Sequence, residues 1–132
     1  MISYKDTKDF TAPELKRLFL SVNWESGKHP EALWEGMHNS SVVLSAWDGD
    51  RLVGLLRGLD DGHTVGFIHY LLVDPAYQGQ HIATHLMQQL MERYQHLLHV
   101  KVMPSDKSTI PFYEKFGFRQ YDHYSALERS NL

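Results

Sequence analysis

Cysteine is absent from the 132 residues. With it go disulfides, thiolate metal sites and every mechanism that carries an acyl group on a cysteine. A reducing compartment suits such a chain, and the cytoplasm is the expected location. No stretch approaches the roughly 20 apolar residues of a membrane span, and the start, Met1-Ile-Ser-Tyr-Lys-Asp6, has no apolar signal core. Neither membrane insertion nor a membrane partner is expected. An excess of positive charge is also missing: 13 Lys+Arg stand against 16 Asp+Glu, for a net charge of −3. Without a basic stripe to track a phosphate backbone, nucleic acid is not an expected partner. The signatures G-x-x-x-x-G-K-[ST], G-x-G-x-x-G and G-x-S-x-G are all missing. No repeat or low-complexity linker interrupts the chain, and 42% hydrophobic residues can build one core. The expected organisation is a single domain, residues 1–132.

What is present reads as alternating strands and helices. A short strand is expected near residues 2–5. Thr11-Ala-Pro-Glu14 is a capping-box signature, followed by Leu15, Leu18, Phe19 and Val22 at helical spacing. A second helix is expected over residues 30–39, with Leu33, Trp34 and Met37 on one side. The linker between the two helices leaves Trp24 exposed. Residues 41–47 and 51–57 flank Asp48-Gly49-Asp50 and read as a hairpin, and Asp60-Asp61-Gly62-His63 turns the chain into a third strand over 64–74. Residues 80–96 place Ile82, Leu86, Met87, Leu90 and Tyr94 on one helical face. A strand over 97–103, a helix over 108–116 closed by Gly117, and a last strand over 118–127 complete the order β-α-α-β-β-β-α-β-α-β.

Residues 71–86, L-L-V-D-P-A-Y-Q-G-Q-H-I-A-T-H-L, run from an apolar strand through a Pro turn and a glycine loop into the opening of an amphipathic helix. A helix start offers N–H groups without intrahelical partners and the positive end of the helix dipole, so this order suits a phosphate-bearing ligand, best a nucleotide cofactor. About thirty residues later comes Pro111-Phe-Tyr-Glu-Lys-Phe-Gly-Phe118. Together, in this order of elements, the two segments resemble the GNAT superfamily of acyl-CoA-dependent N-acetyltransferases, over about residues 15–121. In that superfamily a Gln/Arg-x-x-Gly-x-Gly/Ala loop follows a Val-x-Pro turn. Here Val73-Asp-Pro75 precedes Gln78-Gly-Gln-His-Ile-Ala83, with His81 standing where glycine is usual and Asp106 where asparagine is frequent.

The resemblance implies an α/β GNAT acyl-CoA N-acyltransferase fold: a mixed, mostly antiparallel sheet, splayed centrally and flanked by about four helices. It implies acetyl-CoA as cosubstrate. Leu71, Leu72 and Val73 would lend main-chain hydrogen bonds to the pantetheine arm, with a main-chain N–H near Leu72 for the oxyanion. Gln78, Gly79, Gln80, His81, Ile82, Ala83 and Thr84 would surround the pyrophosphate, and Asp106 and Phe112 would complete the cofactor side. It implies Tyr113 as the general acid that protonates the departing thiolate, the alternative being a core aromatic like its Phe neighbours.

For the base, His69 lies on the strand leading to the cofactor, and its type titrates in the useful range. A histidine merely hydrogen-bonded on a sheet face is the competing reading. Lys101 on the next strand cannot serve as a carboxylate base. His81 and His85 share a helix face at i, i+4 with His96 and His99 nearby, but no carboxylate completes a ligand set, so a solvated polar face is the better account and no metal is expected. Arg57, Trp24 and Trp34 fall near the acceptor only by location. The acceptor is expected to be a small primary amine, and residues 39–62 are weakly similar to arylalkylamine-type acetyltransferases. A CoA-binding sensor or interaction module without turnover, and transfer to a protein N-terminus or lysine, are the alternatives. A homodimer is left open.

Overall fold

The computed structural model describes all residues from Met1 to Leu132. The chain divides into two compact units, Met1–Lys101 and Val102–Leu132. No helix is long and apolar enough to cross a membrane.

Five strands form one sheet in the order β1-β2-β3-β4-β5. They are β1 (Ile2–Lys5), β2 (Val42–Asp48), β3 (Arg51–Asp60), β4 (Val65–Val73) and β5 (His99–Val102). The first four pair antiparallel, each with the next. The β2–β3 hairpin closes on Gly49-Asp50, with Asp48 opposite Arg51 and Gly49 at φ +58°, the left-handed backbone such tight turns require. Between β3 and β4 the Asp61 carboxylate accepts from the N–H groups of His63, Thr64 and Val65 and from the Thr64 hydroxyl. These bonds, the Thr64 hydroxyl foremost, hold its pKa below the ordinary carboxylate value. β5 meets the start of β4, where His99 N–H donates to the Thr64 carbonyl at 2.9 Å.

Alternation along β2 sends Val43 and Trp47 to one face and Val42 and Ala46 to the other. The first face is covered by α1 (Ala12–Ser21) and α2 (Pro30–His38). There Phe10, Leu15, Leu18, Phe19, Leu33, Met37, Leu52, Leu55 and Leu72 form the core with Val43 and Trp47. The expected capping box is formed: Thr11 Oγ1 accepts from Glu14 N–H, and Thr11 N–H donates to the Glu14 carboxylate at 2.9 Å. Trp24, expected to be exposed, is instead half-buried and packs on this core edge-on to Phe19, because the 3₁₀ turn Glu25–Lys28 folds back on α1.

The other face is covered by α3 (Ile82–Tyr94). It approaches closely because Gly54, Gly58 and Gly66 leave room for Ile82 and Tyr94. The Tyr94 hydroxyl donates to Asp60 at 2.8 Å, and burial together with that carboxylate pushes its pKa up.

In the second unit, α4 (Ile110–Glu114) follows the 3₁₀ turn Lys107–Thr109. Gly117, at φ +89°, ends the helix as expected, and Gly117 N–H donates to the Glu114 carbonyl at 3.0 Å. The strand expected over 118–127 is not formed. Residues 119–132 carry no strand and are exposed throughout, Tyr121, Tyr124 and Leu127 included. The aromatics Phe118, Tyr121 and Tyr124 supply strand propensity, but a strand exists only where a neighbour accepts its ladder.

Candidate active site

The strand-loop-helix segment of the first unit is continuous from Leu71 to Thr84. Leu71, Leu72 and Val73 end β4, paired with Leu56, Leu55 and Gly54. Asp74 is buried and fixes the turn that follows, accepting from Ala76 N–H at 2.9 Å. Its other oxygen lies 3.5 Å from both Arg17 and Arg51, so two cations compensate one buried carboxylate. Asp74 N–H donates to Val53, the residue left over where the β2–β3 register slips between Ala46 and Trp47. Gln78 Nε2 then donates to the Val73 carbonyl at 3.1 Å, folding the loop back on the strand.

Gly79 and His81 both sit in the left-handed region, at φ +84° and +61°. This explains in backbone terms why glycine suits position 81, since a β-carbon there costs roughly 1–2 kcal/mol. His81 is exposed and occupies the N-cap of α3 without making a side-chain cap bond, and the first turn holds no acidic residue. The first intrahelical bond runs from His85 N–H to the His81 carbonyl at 3.0 Å. The N–H groups of Ile82, Ala83 and Thr84 therefore have no intrahelical acceptor, and the exposed residues 78–81 stand in front of them. A helix start of this kind has the free donors that suit an anion. His85, a turn further on, stacks on Tyr4 with ring centroids 3.7 Å apart.

The middle of β4 carries a second feature. Leu56 pairs with Leu71 but Arg57 pairs with His69, so Tyr70 is an extra, bulged residue, with φ +70°. The bulge brings His69 and Tyr70 side by side, ring centroids 4.0 Å apart. Tyr70 packs edge-on to Phe19 and against Trp24, and its hydroxyl is 2.7 Å from Ser26 Oγ. Arg57 reaches across: Nη1 is 2.7 Å from His69 Nδ1, Nε donates to Ser40 Oγ at 2.9 Å, and the guanidinium lies 5.5 Å from the Tyr70 ring centre. A guanidinium only donates, so Nδ1 is the acceptor and the imidazole presents its lone pair to Arg57. Burial pulls the Arg57 pKa below its ordinary value.

Of the residues placed near the acceptor by location, Arg57 and Trp24 thus share one cluster, while Trp34 stacks with His38 at 4.0 Å on α2. Tyr70, Ser26 and Ser40 were not foreseen. Only the crowding of aromatics in Phe67-Ile-His-Tyr70 hinted at them.

In the second unit Asp106 accepts from Ser108 N–H at 2.8 Å, which lowers its pKa. Asp thus performs the local capping that asparagine would. Phe112 packs edge-on to Tyr113, as does Phe118, with centroids at 5.2 and 5.9 Å. Tyr113 is buried, and burial raises its phenol above the ordinary value, keeping it protonated.

The sequence matches the model of the acetyltransferase (GNAT) family over residues 8–118. It is similar to a GNAT-family acetyltransferase structure from Streptococcus pneumoniae, at 27% identity and a TM-score of 0.84 over the whole of both chains. A protein of unknown function from methicillin-resistant Staphylococcus aureus is similar at 26% identity and a TM-score of 0.88, again over both whole chains. Over 68 residues the chain is 35% identical to a glucosamine 6-phosphate N-acetyltransferase of Trypanosoma brucei brucei, a match covering 51% of this chain and 46% of that protein. The match thus spans about half of the curated relative.

Proposed function

Because the chain belongs to the acetyltransferase (GNAT) family, we propose that it moves an acetyl group from acetyl-CoA to the primary amine of a small molecule, by direct transfer in a ternary complex. The observation that carries this reading is the start of α3: two left-handed residues, no side-chain cap and no acidic residue in the first turn. This donor set fits a pyrophosphate, with residues 78–84 around it and Leu71 to Val73 along the pantetheine arm; in the second unit, Asp106 and Phe112 are the residues proposed for the cofactor. The thioester of acetyl-CoA supplies an activated acyl carbon and a thiolate leaving group.

In that reading the amine nitrogen bonds to the acyl carbon, the carbon–sulfur bond breaks, one amine proton is lost to a base, and the thiolate takes a proton from Tyr113. Its raised pKa suits a donor that must be protonated at neutral pH. His69 is the proposed base. Proton uptake at Nδ1 requires Arg57 to withdraw, so the pair couples acceptor binding to base availability. The family match runs through both compact units, which supports reading residues 1–132 as one acetyltransferase domain. A cytoplasmic setting belongs to the same reading, supported by the lack of cysteine. The half-length likeness to a glucosamine 6-phosphate N-acetyltransferase supports a small amine rather than naming it.

Thiol release from acetyl-CoA with a panel of small amines tests the proposal. Amine-dependent release is expected. Binding of CoA with no release for any amine would replace the enzyme by a CoA-binding module.

A further inference from the structure

Arginines 17, 51 and 93 each pair with an aspartate. Arg57 does not: it is half-buried, and no carboxylate lies within ion-pair distance of it. Two of its five N–H groups are used, on Ser40 Oγ and His69 Nδ1. Both acceptors are neutral, and Ser40 in turn donates to the Gly36 carbonyl at 2.6 Å. A partly buried cation without a counter-charge is unfavourable unless something outside the chain supplies one. Nη2 has no hydrogen-bond acceptor in the chain and lies against Gly36, whose lack of a side chain lets it sit there: a β-carbon at 36 would stand only 3.3 Å from Nη2. The Tyr70 ring flanks the guanidinium on a backbone held at φ +70°, a conformation that costs a tyrosine energy and that the bulge enforces. Strain, an uncompensated charge and an Nη2 group without an acceptor coincide at one place.

We propose that Arg57 recognises an oxyanion carried by the acceptor itself, so that the preferred acceptor is an amine bearing a carboxylate or a phosphate. The proposal rests on the acetyltransferase reading above and narrows its substrate class. The planar fork suits either oxyanion, two oxygens meeting two N–H groups. The Tyr70 ring is the apolar neighbour of the guanidinium, held by Phe19 and Trp24 behind it and by its hydroxyl's bond to Ser26 Oγ.

Two matched pairs test this: glucosamine 6-phosphate against glucosamine, and phenylalanine against phenethylamine. Affinities are measured by calorimetry on the whole protein saturated with CoA, so that the phosphate loop is already filled and turnover is not needed. At least one oxyanion-bearing member is expected to bind about tenfold or more tightly than the partner that lacks the oxyanion, the range of a charge-assisted pair. Which pair responds separates phosphate from carboxylate. Arg57→Gln is expected to bring that ratio to within about twofold, and Arg57→Lys, which keeps the charge and loses the fork, to leave it in between. Equal affinities within both pairs in the wild type overturn the proposal, as does a preference that persists in Arg57→Gln. Should Arg57→Gln fail to fold, a preference unchanged in Arg57→Lys overturns it. Failure of the acetyltransferase reading is a different result: no thiol release from acetyl-CoA with any amine, whatever the affinity ratios.

Discussion

At the scale of single residues, Tyr113 and His81 carry opposite kinds of prediction. Tyr113→Phe keeps the ring that packs on Phe112 and Phe118 and removes only the hydroxyl. Turnover is expected to fall about 10²–10⁴-fold with little change in CoA affinity. Because burial raises its pKa, the phenol stays protonated through neutral pH, and the alkaline loss of turnover that it controls begins only above its ordinary value, about 10. A pH–rate profile checks both points: the alkaline limb belongs to the wild type and should vanish in Tyr113→Phe. Unchanged turnover would make Tyr113 a core residue only. For His81 the effect is on stability. Relief of the left-handed backbone, roughly 1–2 kcal/mol, outweighs the extra chain entropy of glycine, roughly 0.5–1 kcal/mol. His81→Gly without CoA should therefore raise the thermal midpoint, by up to about 5 °C. A fall would mean that the imidazole makes a stabilising contact.

At the scale of elements, the packing of α3 is set by what the strands beneath it lack. A β-carbon at Gly66 would stand 2.6 Å from Tyr94 Cε2 and 2.9 Å from Leu97 Cδ1. Gly66→Ala should destabilise by about 1–3 kcal/mol in denaturant unfolding. The cost should shrink when Tyr94 is replaced by leucine, since the two changes share one contact. Additive costs would show that the strain lies in the strand instead. The periodicity of α3 was legible in the sequence, as were the Thr11 capping box and the Gly49-Asp50 turn, because each is decided by residues within one or two turns of chain. Nothing local announced the Tyr70 bulge. A register slip depends on the partner strand, and an aromatic residue at positive φ contradicts its own propensity. The missing last strand has the same cause in reverse: Phe118, Tyr121 and Tyr124 suggest a strand, and no neighbouring ladder accepts one. The strand-loop-helix segment 71–84 was readable as a segment, and the left-handed backbone at His81 gives its one departure a meaning. The Arg57 cluster draws on α1, the turn after it, the end of α2 and two strands, so only the fold assembles it.

At the scale of the whole molecule, the net charge of −3 opposes a polyanionic ligand at long range. On the proposed reading, affinity for CoA is local, at the helix start of α3, where main-chain donors act at contact distance. A ligand that binds only the folded chain stabilises it by mass action, about 2.7 kcal/mol at a hundred times the dissociation constant. CoA at such a concentration should raise the thermal midpoint by roughly 5–12 °C. On that reading the donors of the loop face phosphates, so 3′-phosphoadenosine 5′-diphosphate, the nucleotide half of CoA, should retain much of the shift and pantetheine should give little. If pantetheine shifts the midpoint as far as CoA does, the affinity lies along β4 and the loop is a bystander. No shift with millimolar CoA, in a protein that is folded beforehand, would remove the cofactor assignment and with it the acetyl transfer.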